Sequence, residues 1–389
     1  MKKKLCVITG SRADYDLLKP VMLKIKKDNK FQLITLVTGG HLLKNHGQTF
    51  KQIKKSGFKI DQKVKVLENR DKDLSVLKSI GLGVTKFGKV LKKINPDAIV
   101  VLGDRYEIFS AVISAGFLRI PIIHISGGEV TVGAVDENIR HSITKFSTYH
   151  FVSNKKYKKR VMQLGENPKN IFCVGSTGLE NIKKDNLYDL QSLQKKISFK
   201  FKKKNFLITY HPETYKKDGG IGNFKILLKV LAKYNNIGLI FTRPNADFQN
   251  TIINKLIKNF IKKNKNSKYF FSLGQKKYFS CLKYIDAVVG NSSSGIIEVP
   301  SFRKPTINIG ARQKGRIFAS SIINFEKVTE KKLSKAFGKI DSKKFRVNLK
   351  KVKNPYYVAS SSNKILKILK KIKFLKTNKK LFFDIGISR

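Results

Sequence analysis

An α/β protein built from two doubly wound, Rossmann-like domains is what this sequence predicts, on three observations. The 389 residues exceed the ~250–300 at which a single hydrophobic core stops growing. Short runs that are apolar without alternation, such as Ala98-Ile99-Val100-Val101-Leu102, recur between helical patterns, as in a parallel sheet covered on both faces. The series runs once from Leu5, degrades into Lys, Asp, Asn and Gln, and starts again at Phe206.

Taken in order, Leu5 to Thr9 reads as a buried strand, Leu17 to Lys27 as a helix and Phe31 to Thr38 as a second strand. A helix beginning near Gly47 leads to an extended stretch from Phe58 to Val66. The helical stretch from Leu74 to Ile94 stops at Asn95-Pro96, where the ring of Pro disfavours a helical residue before it. Ala98 to Leu102 is the next strand, with a helix through Phe117; Pro121 to Ile125, Tyr149 to Val152 and Ile171 to Val174 follow as strands. The second series comprises strands at Phe206–Tyr210, Ile237–Thr242, Lys268–Phe271, Ala287–Val289 and Thr306–Ile309. Helices at Phe224–Tyr234, Phe248–Lys262, Lys276–Tyr284 and Ser294–Phe302 separate them, and Asn363 to Thr377 reads as a basic amphipathic helix. The expected domains are 1–182 and 205–362, joined by a linker at 183–204 and followed by a tail at 363–389.

The net charge of +55 raises nucleic-acid or membrane-surface binding first. Only 12 of the 81 basic residues are Arg, however, and the Lys recur along nearly the whole chain. That pattern suits solvated helix faces whose Lys stems cover apolar surface, and no RNA- or DNA-binding signature accompanies it. Salt-dependent oligonucleotide binding is the alternative from another class. No apolar stretch approaches the ~18 residues of a membrane span. Cys6, Cys173 and Cys281 lie far apart inside apolar runs, read as buried thiols of a reducing compartment, and place the protein in the cytoplasm. No His, Cys and Asp grouping has metal-ligand spacing, so neither metal nor cofactor is expected.

Acidic residues and histidines are scarce, and they collect at the carboxyl ends of the strands, where doubly wound sheets hold ligands. Arg12, Asp14 and Asp16 follow the first strand and His41 the second; Asp104, Arg105 and Glu107 follow the Val-Val-Leu strand, and His124 to Glu129 the next. In the second half His211, Pro212 and Glu213 follow one strand, and Arg243, Pro244 and Asn245 another. Gly290-Asn291-Ser292-Ser293-Ser294-Gly295 opens a helix, where backbone N–H groups and hydroxyls suit a diphosphate, although a plain Ser N-cap reads the same way. Glu298, four residues past Ser294, is placed for a ribose or is a plain surface Glu, and Arg12 suits a phosphate or a loop salt bridge with Asp14 or Asp16. Glu129, Asp136 and Glu137 gather carboxylates suited to proton abstraction and return, with Asp136-Glu137 also fitting a helix first turn. His124 reads as a core histidine, and His141 and His150 as satisfied polar residues.

Thr9-Gly-Ser-Arg-Ala-Asp-Tyr15, Gly103-Asp-Arg-Tyr-Glu107, His124-Ile-Ser-Gly-Gly-Glu129, Asp136 to Lys145, Gly290 to Gly295 and Gly310-Ala-Arg-Gln-Lys-Gly315 together resemble the hydrolysing UDP-N-acetylglucosamine 2-epimerases. The resemblance implies the GT-B architecture, two Rossmann-like domains facing a central cleft. It also implies elimination of UDP from a 2-acetamido sugar followed by water addition, giving the free 2-epimer. The sugar would be UDP-N-acetylglucosamine or its 2,4-diacetamido-trideoxy analogue, as in sialic or legionaminic acid biosynthesis. A non-hydrolysing epimerase and a GT-B glycosyltransferase are the enzymatic alternatives, and a homodimer or homotetramer is expected. By motif, Arg12, Arg105, His211, Asn245, Ser292, Ser293, Glu298 and Arg312 fall where the family binds UDP. Asp104, Glu129 and Asp136, with His211, fall where its catalytic residues lie. The chain departs from the pattern at Ser126, where many members have Glu and others His, and at Asp16, where some have Ser.

Overall fold

A computed structural model of the chain describes residues 1–44, 47–66, 73–132, 136–182, 186–213, 216–244, 250–375 and 380–386. They form two compact units. The first contains Met1–Glu129, Asp136–Asn181 and Tyr356–Arg389, and the second Val130–Val135 and Ile182–Pro355.

In the first unit, β1 (Lys3–Thr9), α1 (Arg12–Lys27), β2 (Phe31–Thr38), α2 (Phe50–Lys55), β3 (Gln62–Val64) and α3 (Asp73–Ile94) come first. After them run β4 (Ala98–Leu102), α4 (Tyr106–Phe117), β5 (Ile122–Ile125), α5 (Asp136–Phe146), β6 (Tyr149–Val152), α6 (Lys155–Gln163) and β7 (Ile171–Cys173). The seven strands are all parallel in the order β3-β2-β1-β4-β5-β6-β7. Alternate residues of each central strand face different cores, which is why the strands read as unbroken apolar runs. Leu5, Val7, Ala98 and Val100 join the cluster of Leu18, Val21 and Ile25 from α1. Cys6, Ile8, Ile99 and Val101 join that of Phe87 and Leu91 from α3 and Ile108 and Val112 from α4. Helix α1 begins five residues before the expected Leu17, because Ser11 and Asp14 form a reciprocal capping box. Cys6 and Cys281 are buried, whereas Cys173, the last residue of an edge strand, is exposed, contrary to expectation.

The second unit runs α7 (Leu190–Ile197), β8 (Lys204–Thr209), α8 (Ile221–Leu231), β9 (Ile237–Thr242), α9 (Asn250–Lys263), β10 (Ser267–Phe270) and α10 (Gly274–Tyr284). It continues with β11 (Ala287–Gly290), α11 (Ser293–Ile297), β12 (Thr306–Ile309), β13 (Ile322–Phe325), α12 (Glu330–Asp341) and α13 (Lys343–Lys350). Its six parallel strands follow β10-β9-β8-β11-β12-β13, the same winding as the first unit. Phe206 and Ile208 face one core and Leu207 the other. The stretch expected as a linker carries α7, whose Leu193 and Ile197 pack with Leu207 and Val288; its apolar stripe is obscured in sequence by interleaved Lys. The chain rejoins the first unit at Tyr356, where its hydroxyl meets that of Tyr157 at 2.9 Å. It continues into α14 (Ser361–Leu369), with Ile365 and Leu369 buried in the α1 core.

Candidate active site

Each sheet reverses its winding once, between β1 and β4 in the first unit and between β8 and β11 in the second. Loops leaving these strand ends diverge, and it is at such switch points that doubly wound sheets hold ligands.

In the first unit the chain turns at Gly103, whose φ of +80° suits a residue without Cβ. The buried His124 donates from Nε2 to the Gly103 carbonyl at 2.8 Å, while its Nδ1 lies 3.3 Å from the Thr144 hydroxyl. Burial holds this imidazole neutral, its pKa pushed down to about 3. The next residue, Asp104, is ion-paired with Arg140 of α5, whose side chain is only 4% exposed. Arg140 also lies 4.0 Å from a Glu129 carboxylate oxygen and donates to the Ser126 carbonyl at 3.1 Å. Glu129, itself buried, accepts from the Ser153 hydroxyl at 3.3 Å. A single buried guanidinium therefore gathers two of the three expected catalytic carboxylates. Asp136 opens α5 one turn before Arg140, which puts the two on one helix face. Ser126 sits at φ +66°, a left-handed conformation costly for a side-chain-bearing residue.

Asp14 is spent on its own loop, accepting from the Gly10 and Ser11 backbones at 2.8 and 2.7 Å. Arg12 lies 4.0 Å from Asp16, whose carboxyl is pushed up to about 6 by burial against the opposing charges of Arg12 and Lys19. Arg105 pairs with the buried Glu107 at 3.4 Å. Glu107 packs under the β1 and β2 ends so closely that a Cβ at Gly10 or Gly39 would fall within 3 Å of it. His41 is buried between the Thr9 and Thr49 hydroxyls, at 3.0 and 2.7 Å, and burial keeps it neutral.

In the second unit Asn291 clips two loops together. Its side chain accepts from the His211 N–H at 2.7 Å and donates to the His211 carbonyl at 2.8 Å. Its own carbonyl accepts from Gln313 at 2.8 Å and Arg312 at 3.3 Å. The loops after β8, β11 and β12 thus form one frame. Gly290 makes this possible, since with φ +136° a Cβ there would lie 2.0 Å from the Thr209 carbonyl oxygen. The buried Glu213 accepts from the Ala311 N–H at 2.9 Å and so fixes the turn that presents Arg312. His211 is pushed well below its ordinary pKa, first by burial and then by Arg312. Ser292 caps α11 with a long bond from the Ser294 N–H at 3.4 Å. Tyr278 meets the Ser294 hydroxyl at 2.5 Å, and its phenol is raised by burial and by the Glu298 charge.

One sequence expectation changes here, and two residues gain a definition they lacked. The helix expected from Ser294 to Phe302 is five residues of α-helix followed by a 3₁₀ turn at Val299–Phe302, because Pro300 withholds an N–H; Glu298 stands at the junction. Burial beside Arg312 keeps the His211 imidazole neutral. Arg140, quoted in a motif but given no role, is the organiser of the carboxylates; its i, i+4 spacing from Asp136 was the available signal. Asn245 lies outside the described residues. Among the described residues no cluster of three His, Cys, Asp or Glu side chains could hold a metal, and no helix is long and apolar enough to cross a membrane.

Two parallel sheets wound alike, each with polar residues gathered at the strand ends of its switch point, belong to the GT-B class of α/β protein. Solved structures agree. UDP-N-acetylglucosamine 2-epimerase from Neisseria meningitidis, bound to UDP-N-acetylglucosamine, superposes with a TM-score of 0.80 over 95% of this chain and 100% of that one, at 17% identity. By sequence, residues 23–370 match the UDP-N-acetylglucosamine 2-epimerase family. The chain is 42% identical to the GDP/UDP-N,N'-diacetylbacillosamine 2-epimerase (hydrolyzing) of Campylobacter jejuni over 94% of each. It is 37% identical to polysialic acid biosynthesis protein P7 of Escherichia coli over 98% of each. The chain belongs to the UDP-N-acetylglucosamine 2-epimerase family.

Proposed function

We propose that this enzyme is a hydrolysing 2-epimerase, releasing a free 2-acetamido sugar from its UDP conjugate, with the 2,4-diacetamido-trideoxy sugar the favoured substrate. The observation that carries the reading is the buried Arg140 holding Asp104 and Glu129 together, with Asp136 one helical turn away. The relative at 42% identity, named for N,N'-diacetylbacillosamine, supports the sugar.

The chemistry asks for removal of a weakly acidic C2 proton while the C1–O bond breaks and its electron pair leaves with the diphosphate. Asp104, Glu129 and Asp136 supply the carboxylate that takes the proton and the acid that returns one. Arg12, Arg105 and Arg312, with neutral donors from His211, Ser292 and Ser293, stabilise charge accumulating on the diphosphate; Asn245 and Glu298 complete the UDP set. The resulting 2-acetamidoglycal then gains hydroxyl at C1 and hydrogen at C2 on the opposite face. Ser126 carries no carboxylate, so the proton transfers fall to the three acids that remain.

Incubation with UDP-N-acetylglucosamine and with UDP-N,N'-diacetylbacillosamine in deuterated water tests this. The expected result is one UDP per free sugar, deuterium at C2, and faster turnover of the diacetamido substrate. Retention of the nucleotide on an epimerised sugar would identify a non-hydrolysing enzyme instead. The cytoplasmic compartment and the homodimer or homotetramer belong to the same reading, the latter testable by light-scattering mass.

A further inference from the structure

Helix α5 carries Asp136 at its first turn and Arg140 at its second, and its last turn is held by a distant part of the chain. Lys380 donates from Nζ to the carbonyls of Thr144, Lys145 and Ser147 at 3.2, 2.5 and 2.8 Å. Helix-end carbonyls lack intrahelical partners and concentrate negative potential, so an ammonium held against them both satisfies and neutralises them, although the Lys380 side chain stays 30% exposed. The same Nζ lies 2.7 Å from Glu166, a carboxylate only 2% exposed that also meets His150 at 3.0 Å and Lys145 at 2.9 Å. Around this anchor the chain is laid as a strap. The Phe383 N–H donates to the Gly165 carbonyl at 2.9 Å, and Lys145 lies over the Phe382 ring at 4.8 Å. Gly165 admits that ring because it has no Cβ, which would fall 2.3 Å from it.

From the anchored end two connections lead to the catalytic carboxylates. One runs along α5 to Arg140 and Asp136. The other passes from the Thr144 hydroxyl to His124 and so to the Gly103 carbonyl, next to Asp104. We propose that Lys380 is a positioning residue, its ammonium capping α5 so that Arg140 and Asp136 stay in register with Asp104 and Glu129. The proposal rests on the functional reading above for what those carboxylates do. Burial lowers the Lys380 pKa to about 8 against the opposing pull of Glu166, which leaves it charged at neutral pH. The apolar anchorage of α14 by Ile365 and Leu369 is separate, so losing the cap need not release that helix.

The test uses the full chain with Lys380→Met, which keeps the stem and removes the charge, and Lys380→Arg, which restores it. Hydrogen exchange of residues 136–146 should quicken about tenfold in Lys380→Met. Its kcat should fall by about tenfold or more, while KM and UDP affinity stay within about twofold, since misplacing catalytic groups by a fraction of an ångström is costly. Lys380→Arg should recover most of the loss. A kcat within twofold of wild type, or unchanged exchange at α5, would overturn the proposal, as would kcat and UDP affinity falling together. If Lys380→Met does not fold, Phe382→Ala loosens the strap more gently and is judged by the same readouts. Should wild type turn over neither nucleotide sugar, the functional reading fails, and α5 exchange still decides whether the strap holds the helix.

Discussion

Asp104 is held from two sides, by the His124 bond to the preceding carbonyl and by the buried Arg140 guanidinium. Asp104→Asn keeps the shape and the ability to accept from Arg140, yet cannot take a proton. Turnover should drop by at least about 10²-fold, with UDP affinity unchanged and melting lowered by only a few degrees. Near-normal kcat would remove Asp104 from the catalytic set. Ser126 is the companion case. Its carbonyl is bound by Arg140 and its N–H by the Phe151 carbonyl at 2.9 Å, so the left-handed φ is enforced by its surroundings. Ser126→Glu would add a further carboxylate beside one buried cation that already serves Asp104 and Glu129, and should lower both activity and melting temperature. A rise in kcat would mean that this site lacks an acid it can use.

At the scale of elements, α11 is too short to carry much of a macrodipole, and its cap is a long hydrogen bond. Replacing Ser292 and Ser293 together by Ala should therefore cost about 1–2 kcal/mol of UDP binding, from two neutral contacts. Arg312→Met should cost about 2–3 kcal/mol, because its bond to a diphosphate is charge-assisted. The buried, neutral His211 belongs with the Ser pair. Calorimetry that ranks the Ser pair above Arg312 would reverse this order. The same physics explains what could be read from sequence. Strands Ala98–Leu102, Tyr149–Val152, Ile237–Thr242 and Thr306–Ile309 stand where their apolar runs placed them, since a strand covered on both faces needs no polar residue. The half-buried edge strand β13 and the Lys-filled α12 and α13 carry no such mark and went unassigned. Acids and histidines stood out at strand ends in a chain short of both. The pairing of Arg140 with Asp104, 36 residues away in sequence, is a tertiary fact with no local signature.

Over the whole molecule, a net charge of +55 works against compaction, so raising ionic strength from about 0.01 to 0.15 M should raise the melting temperature by screening self-repulsion. Acid should act more selectively, because the buried neutral histidines are unevenly shared. His41, His124 and His150 lie in the first unit and only His211 in the second, each with its pKa lowered chiefly by burial. An unfolded chain takes up protons on these imidazoles from about pH 6.5 downward, while the folded protein does not. The unfolded state then binds more protons, and stability falls as pH drops below about 6.5. For His124, whose folded pKa is about 3, the loss by pH 5 is on the order of 2 kcal/mol. Glu166 adds to this at lower pH. Burial alone would raise its pKa, but hydrogen bonds from His150 and Lys380 and the Lys380 charge hold it lowered, so its contribution is lost below about pH 4.5. The first unit should therefore open first on acidification. Hydrogen exchange at matched intrinsic rates should show β4, β5 and β6 losing protection between pH 6.5 and 5 while β8 and β11 keep theirs. Simultaneous loss in both sheets, or earlier loss in the second, would mean that charge repulsion outweighs the buried histidines in setting acid stability.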